Sequence, residues 1–100
     1  MKINIERKEG TVTAELVGRL DTPASQENGN EILALQDEAD KTIILECSAL
    51  EYISSSGLRL FLALRKAATQ KGGKVIVQNI NDDIRSVFMM TGFLNLFEIR

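Results

Sequence analysis

Tyr52-Ile53-Ser54-Ser55-Ser56-Gly57-Leu58 is the stretch around which the chain is organised. It follows residues 42–47, a continuously apolar and β-branched run that predicts a strand covered on both faces. It precedes residues 58–70, whose broad apolar surface predicts a long helix. The order of strand, serines and helix therefore places three hydroxyl groups at the start of the helix.

The three serines have more than one possible role. Ser54 is the predicted N-cap, because a serine hydroxyl there accepts a hydrogen bond from one of the unpaired N–H groups of the first turn. One hydroxyl suffices for a cap, and Ser55 and Ser56 are of a residue type that is only a mediocre helix former. Hydroxyl groups at the positive end of a helix also favour a phosphate, bound or covalent. A simple cap and a phosphate site both remain open at this point.

Two segments near the N-terminus alternate apolar and polar residues, which is the pattern of half-buried strands. The apolar positions are Ile3, Ile5, Val12, Ala14 and Leu16. Residues 8–10 lie between the segments and predict the turn of an antiparallel hairpin.

A helix is predicted after this hairpin. Thr22 is the expected N-cap and Pro23 the first helical residue, where its missing N–H does no harm. Gly29 in the interior costs about 1 kcal/mol relative to alanine. The predicted inner face consists of Ala24, Asn28, Ile32, Leu35 and Ala39.

The C-terminal third continues the alternation of helix and strand. Residues 70–73 predict a helix stop and turn, and residues 74–78 a second buried strand. Asn81 is the predicted cap of a third helix that ends at Gly92. Its predicted inner face consists of Ile84, Val87, Phe88 and Thr91. The whole pattern predicts one α/β domain spanning residues 1–100, with a mixed, largely parallel sheet, an N-terminal hairpin and about three to four packed helices.

Composition excludes several classes of protein. A net charge of −2 with scattered charges gives no basic surface for nucleic acid. Residues 1–7 show no apolar signal region, and no segment is apolar enough to span a bilayer, so we expect no membrane insertion and a cytoplasmic location. Cys47 is the single cysteine and histidine is absent, which argues against a disulfide or a zinc site. We expect Cys47 to pack as a small apolar residue.

Enzymatic activity is also disfavoured. A nucleophilic Ser55 would need a base, and the chain has no histidine and no Gly-x-Ser-x-Gly turn. Gly72-Gly73-Lys74 lies between a helix and a strand and lacks the hydroxyl residue of a phosphate-binding loop. We therefore expect no catalytic residue, no cofactor and no metal.

Ser54-Ser55-Ser56-Gly57-Leu58 resembles the Asp-Ser-Ser-Gly-Leu signature of STAS domains, specifically of the bacterial anti-sigma factor antagonists. Gly18-Arg19-Leu20-Asp21 resembles the family's Gly-x-Leu-Asp element, and residues 72–75 resemble its turn into the next strand. Residues 87–93 and 96–99 resemble its closing helix and tail. Together these segments cover nearly all of the chain in the family's order.

The resemblance implies a partner-switching function. An unmodified antagonist of this family binds an anti-sigma factor that is a serine kinase, the kinase phosphorylates a serine at the helix start, and a phosphatase restores it. By residue-for-residue transfer the phosphoacceptor is Ser55. The transferred partner-binding residues are Asp21, Ser54, Ser56, Gly57, Leu58 and Arg59.

Two of these residues have a second interpretation. Asp21 alone would be read as an ordinary loop acid, whereas the resemblance implies that it lies beside the serines. Leu58 is either a core residue or a partly exposed anchor for a partner.

Ser54 departs from the family pattern, because it stands where the family usually has aspartate. The departure supports a second hypothesis, in which the chain is a STAS adaptor that is never phosphorylated, for example a subunit docked on a transporter ATPase.

Overall fold

The computed structural model describes residues 1–100, which form six strands and three α-helices. The strands are β1 Lys2–Lys8, β2 Thr11–Leu20, β3 Thr42–Glu46, β4 Leu50–Ile53, β5 Lys74–Gln78 and β6 Glu98–Ile99. The helices are α1 Thr22–Leu33, α2 Ser55–Lys71 and α3 Asp82–Thr91, and short 3-10 helices span Ala34–Glu38 and Phe93–Asn95. The count of three helices is at the lower end of the predicted range.

The sheet is mixed and largely parallel, as predicted. Its order is β1-β2-β3-β5-β6, with β4 paired to the far end of β2. Only β1 and β2 are antiparallel, and Gly10 supplies the positive φ of 73° in the turn that joins them. The N-terminal hairpin is thus confirmed, whereas β4 and β6 had no prediction of their own.

The core lies on one face of the sheet. On β3, Ile43 and Leu45 are fully buried in the main apolar cluster, together with the buried residues of all three helices. Thr42, Ile44 and Glu46 point the other way and are half-buried. The prediction that this strand is covered on both faces is therefore wrong, because the helices pack over a single face and Ile44 lies outside their cluster.

Helix α2 is central to that core. Its Phe61 ring meets the rings of Phe88 on α3 and Phe97 near the C-terminus edge to face, at centroid distances of 6.3 and 6.4 Å. Gly29 of α1 is buried at the contact with Leu60 of α2. A Cβ at Gly29 would meet the Leu60 side chain at an ordinary contact distance of 3.6 Å, so the packing of α1 on α2 does not require glycine at this position.

Two predicted helix faces need correction. Asn28 is only half-buried, and after Leu33 the predicted first helix continues as a 3-10 helix that carries the buried Leu35. Thr91 was placed on the inner face of α3 but is exposed, and its hydroxyl donates a hydrogen bond to the Val87 carbonyl at 2.8 Å. Threonine at a helix end can satisfy its hydroxyl on the preceding turn and needs no core position.

Cys47 is buried, as expected. Burial, assisted by the neighbouring charge of Glu46, raises the pKa of its thiol to about 12. The thiol therefore stays protonated at neutral pH and packs as a small apolar group. Among the helices, none combines the length and the hydropathy that a membrane crossing requires.

Candidate functional site

The site is built where two neighbouring parallel strands end. Leu20 of β2 and Ile53 of β4 are paired, and the Ser54 N–H donates a hydrogen bond to the Leu20 carbonyl at 2.8 Å. The next residues along the two strands are Asp21 and Ser54, which therefore lie side by side at the same edge of the sheet. The Gly-Arg-Leu-Asp segment and the serine segment thus meet in space.

Asp21 is the N-cap of α1. Its Oδ1 accepts a hydrogen bond from the Ala24 N–H at 2.9 Å, so Thr22, the predicted cap, is instead the first helical residue and Pro23 the second. The carboxylate is the stronger acceptor and is favoured at the positive end of the helix, which explains the one-residue shift. Asp21 is half-buried, and part of it faces solvent beside the serines.

Ser54 is the N-cap of α2, as predicted. Its Oγ accepts from the Gly57 N–H at 3.2 Å and lies 2.9 Å from the Ser56 Oγ, with which it shares a hydrogen bond. The residue is only 8% exposed. The Ser54 hydroxyl is thus enclosed and occupied by capping, and the half-buried Ser56 is bonded to it.

Ser55 differs from both neighbours. It is the first residue of α2, it is exposed, and its hydroxyl makes no hydrogen bond within the chain. The backbone N–H groups of Ser55 and Ser56 are among the unpaired donors of the first turn. The structure therefore presents one free hydroxyl at the positive end of a 17-residue helix.

Gly57 and Leu58 are buried beneath this hydroxyl. A Cβ at Gly57 would stand 2.8 Å from the Leu20 Cγ and 2.9 Å from the Ile53 Cγ1, so only glycine lets α2 start this close to β2 and β4. Leu58 is 6% exposed and belongs to the core, so of its two possible roles it has that of a core residue and not that of a partly exposed anchor. Its side chain packs in the core between α2 and the sheet.

The exposed side of α2 carries the remaining candidate. Arg59 is exposed one turn after Ser55, and Leu62, 36% exposed, follows in the next turn. Residues three and four apart on a helix are neighbours on its surface. Ser55, Arg59 and Leu62 therefore form one continuous stripe that begins at the free hydroxyl.

Sequence reasoning missed a second feature at the same edge. The guanidinium carbon of Arg19 lies 4.5 Å from the centre of the Tyr52 ring, and Tyr52 is 41% exposed. Both residues directly precede the paired Leu20 and Ile53, so strand alternation turns them to the face opposite the core. Strand alternation could have predicted this pair from the sequence, but only if β4 had itself been predicted as a strand.

The Arg19 and Tyr52 pair borders a surface cavity of about 160 Å³. Glu51, Asp83 and Val87 also line it, so the cavity combines charges of both signs with apolar surface. Exposed tyrosine and arginine are the residue types most enriched at the centres of protein interfaces. The arrangement suits contact with another protein better than chemistry on a small molecule.

No group of histidine, cysteine, aspartate and glutamate side chains in the structure has the arrangement of a metal site. The acidic residues at this edge have other partners or face solvent, with Asp21 engaged as a helix cap. The features assembled at the site are a free hydroxyl, two helix N-termini and an exposed aromatic and cationic pair.

This fold, with the serines at the start of the helix that follows β4, defines a STAS domain. The sequence profile of that family, described as the STAS domain, matches residues 2–100, and the chain belongs to the family.

Similar proteins carry names from one functional group. BtrV of Bordetella bronchiseptica, provisionally named as an anti-sigma factor antagonist, is 29% identical over 99 residues, with 99% of this chain and 85% of BtrV covered. The anti-sigma F factor antagonist of Paenibacillus polymyxa is 28% identical over 100 residues, covering 99% of this chain and 86% of that protein.

Solved structures agree on the fold. The anti-sigma factor antagonist SpoIIAA in its unphosphorylated form has a TM-score of 0.75 at 24% identity, covering 99% of this chain and 87% of SpoIIAA. The structure of the Bacillus cell fate determinant SpoIIAA in its phosphorylated form has a TM-score of 0.74 at 25% identity, covering 99% of this chain and 91% of that one.

Proposed function

We propose that this protein is an anti-sigma factor antagonist that acts by partner switching. In its unmodified form it binds an anti-sigma factor that is also a serine kinase, phosphorylation of Ser55 releases it, and a serine phosphatase restores it. The names of the similar proteins support the general role, and the two SpoIIAA structures show that a protein of this fold exists in phosphorylated and unphosphorylated forms. The chain itself needs no catalytic residue and no cofactor in this scheme.

The observation that carries the proposal is the difference between Ser55 and its neighbours. Ser55 is exposed with a free hydroxyl, whereas Ser54 is buried as the cap and Ser56 is bonded to it. A kinase must reach the hydroxyl and place the phosphoryl group on its oxygen. Ser55 therefore suits the role of acceptor although Ser54 replaces the family's aspartate.

Electrostatics explain why the switch acts on binding and leaves the fold intact. A phosphoryl group adds about −1.5 to −2 charge, and at a helix N-terminus that charge is favourable by about 0.3 to 1 kcal/mol. Arg59, one turn away, supplies a cation for it. In a closed interface an unpaired charge costs about 2 to 5 kcal/mol, which corresponds to roughly 30-fold to several thousand-fold in affinity.

The partner surface follows from the same geometry. We propose that the partner contacts the exposed hydroxyl of Ser55, the half-buried Asp21 and Ser56, and Arg59 on α2. Ser54, Gly57 and Leu58 contribute by holding the start of α2 in place, since all three are buried.

Substitution of Ser55 tests this function. We expect Ser55→Ala to give a folded protein that binds the partner constitutively, because the phosphoacceptor is gone while the surface is nearly unchanged. We expect Ser55→Asp to bind at least tenfold more weakly, because it places a charge in the interface. The partner is first captured from the protein's own cells with the Ser55→Ala chain as bait, and affinities are then measured by calorimetry.

Ser86→Asp is the matched control, since Ser86 is an exposed helical serine on α3 and receives the same charge. Equal partner affinity for Ser55→Ala and Ser55→Asp would refute the switch. Peptide mapping by mass spectrometry of protein from growing and stressed cells checks the covalent step. A phosphate on Ser54 or Ser56 in place of Ser55 would keep a switch but overturn the assignment of the acceptor.

The alternative function is an adaptor that is never phosphorylated. The observation that favours it is Ser54, which caps α2 but offers no carboxylate beside Ser55. This hypothesis expects a stable complex with a partner such as a transporter ATPase, the same affinity for all Ser55 variants, and no phosphate under any growth condition.

A further inference from the structure

Strand β1 leaves one edge of the sheet open. It is the terminal strand and pairs only with β2. Six of its seven residues are exposed, and only Ile3 is half-buried. A terminal strand presents a row of unpaired N–H and C=O groups, which can accept another strand.

The usual structural obstacles to such pairing are missing from β1. Its register with β2 runs without a bulge from Lys2 opposite Val17 to Lys8 opposite Thr11, and the strand contains no proline. No helix covers its outer edge, as the exposure of the strand shows. Charged side chains are the remaining protection, so their arrangement decides whether a second strand can bind.

The two faces of β1 differ in chemistry. Ile3 and Ile5 lie opposite the buried Leu16 and Ala14, so they belong to the core side of the sheet. Ile5 is nevertheless 36% exposed, because the core ends at this strand. The residues that alternate with the isoleucines lie on the opposite face of the sheet, and they are Lys2, Asn4, Glu6 and Lys8.

The sequence of β1 is complementary to itself in one antiparallel register. If two copies meet with Asn4 opposite Asn4, Lys2 of each chain faces Glu6 of the other and Ile3 faces Ile5. Both isoleucine pairs then extend the core, and both ion pairs join opposite charges. In the register centred on Ile5, Lys2 would face Lys8 twice, which is unfavourable.

We propose that β1 pairs with β1 of a second copy of this chain, in the antiparallel register centred on Asn4, and forms a two-fold symmetric dimer with a continuous sheet. The Lys8 and Glu6 ion pair within β1, at 3.4 Å between highly exposed side chains, does not oppose this register. Five paired residues per strand make a small interface, so the dimer is reversible and depends on protein concentration. The proposal does not rest on the anti-sigma factor antagonist function.

Charge reversal tests the register directly. We expect the wild-type chain to show a concentration-dependent monomer and dimer equilibrium in analytical ultracentrifugation. Lys2→Glu and Glu6→Lys, each alone, turn both ion pairs into like-charge pairs and should raise the dimer dissociation constant by about tenfold. An equimolar mixture of the two variants should recover dimers, because every pair across the mixed interface again joins opposite charges.

Lys66→Glu is the control for net charge, since Lys66 is an exposed lysine on α2, and it should leave the equilibrium unchanged. Circular dichroism verifies that each variant is folded before mixing. A wild-type chain that stays monomeric at all concentrations would overturn the proposal, as would variants that associate like the wild type. Tighter association of Lys2→Glu alone would place residue 2 opposite Lys8 and overturn the register.

Discussion

At the scale of one residue, Gly57 explains how the start of α2, which carries the three serines, is held against the ends of β2 and β4. Glycine is otherwise a poor helix former, but here it stands where α2 begins directly against Leu20 and Ile53. Any Cβ would come within 3.0 Å of both side chains. The position of the Ser55 hydroxyl above the strand ends thus depends on the absence of a side chain two residues later.

Gly57→Ala and Gly29→Ala should have opposite effects on stability. We expect Gly57→Ala to lower the free energy of unfolding by about 1 to 2 kcal/mol, because overpacking outweighs the gain in helix propensity. We expect Gly29→Ala to raise it by about 0.5 to 1 kcal/mol, since its Cβ would meet Leu60 at an ordinary contact distance of 3.6 Å. Urea unfolding followed by circular dichroism measures both values.

Gly29 serves as the matched control because it is also a buried helical glycine. If Gly57→Ala proved as stable as the wild type, Leu20 and Ile53 would have room to move. The close approach of α2 would then not depend on glycine.

At the scale of elements, the candidate site is the place where the N-termini of α1 and α2 lie close together. β2 leads into α1 through Asp21, and β4 leads into α2 through Ser54, with each side chain capping its own helix. Because β2 and β4 are parallel neighbours, the positive ends of both helices converge on one edge. A phosphate on Ser55 would lie at this edge, where two helix dipoles favour it.

Replacement of Ser54, the cap of α2, by alanine and by aspartate separates the effect of the capping hydrogen bond from the effect of a charge at the helix start. We expect Ser54→Ala to lower the free energy of unfolding by about 1 kcal/mol, because the Gly57 N–H loses its acceptor. We expect Ser54→Asp to retain most of the stability, because aspartate is an equally good cap and its charge is favoured there. Thermal unfolding measured side by side gives the comparison.

Asp21→Ala is the parallel control on α1, with a similar expected loss because the Ala24 N–H is left without its acceptor. A Ser54→Ala chain as stable as the wild type would show that the serine is retained for a reason other than capping.

At the scale of the whole molecule, the helices pack over one face of the sheet, and the other, called the open face, has no helix over it. The open face carries a polar network around Glu46, whose carboxylate accepts hydrogen bonds from Gln78 at 2.7 Å, Asn79 at 3.1 Å and the Ser48 N–H at 3.0 Å. Asn79 adopts the left-handed backbone conformation, with φ of 61°, while its amide donates to both carboxylate oxygens. This network ties the carboxyl ends of β3 and β5 together.

The pH dependence of stability should reveal this network. Burial alone would raise the pKa of Glu46, but the hydrogen bonds from Gln78, Asn79 and Ser48 outweigh it and lower the pKa below the ordinary 4.5. A carboxyl group with a lowered pKa in the folded state contributes stability above its ordinary pKa and loses it as the pH falls through the folded value. We therefore expect Glu46→Gln to be less stable than the wild type at pH 7, with the difference shrinking below about pH 4.5.

Unfolding free energies measured from neutral to acidic pH check this expectation. Glu27→Gln is the control, because Glu27 is exposed and makes no hydrogen bond within the chain. The pKa values of Glu38 and Glu98 are also lowered, by hydrogen bonds from Arg7 and Arg100 first, so the wild-type curve alone is not diagnostic. A constant difference between Glu46→Gln and the wild type at every pH would contradict the role assigned to the carboxylate.

The local signals in the sequence predicted most of the helices and strands. Ser54 and Asn81 were predicted as caps and Gly92 as a helix end, and all three are confirmed because capping depends on a few neighbouring residues. The same local reasoning placed the α1 cap one residue late, at Thr22. The Thr22 hydroxyl followed by Pro23 fits the pattern of a cap, but the carboxylate of Asp21, one residue earlier, is the stronger acceptor and caps the helix.

The features that the sequence did not predict share a physical cause, which is contact between segments that are distant in the chain. β4 and β6 are short, and they are strands only because β2 and β5 are available as partners. The apolar run of β3 predicts burial, yet nothing in that run shows that the helices pack over one face. Leu58 was open to either role until the packing of α2 buried it.

By itself, the sequence determined the fold class, the order of the three helices and of the strands β1, β2, β3 and β5, and the serine at the start of the long helix, because periodicity and capping are properties of adjacent residues. Only the tertiary structure decided which hydroxyl is free, since the exposure of Ser55 and the enclosure of Ser54 depend on how α2 packs against β2 and β4. It also decided that Asp21, Arg19 and Tyr52 gather at the same edge. Their proximity results from the parallel pairing of two strands about 30 residues apart in the chain, and no local pattern specifies that pairing.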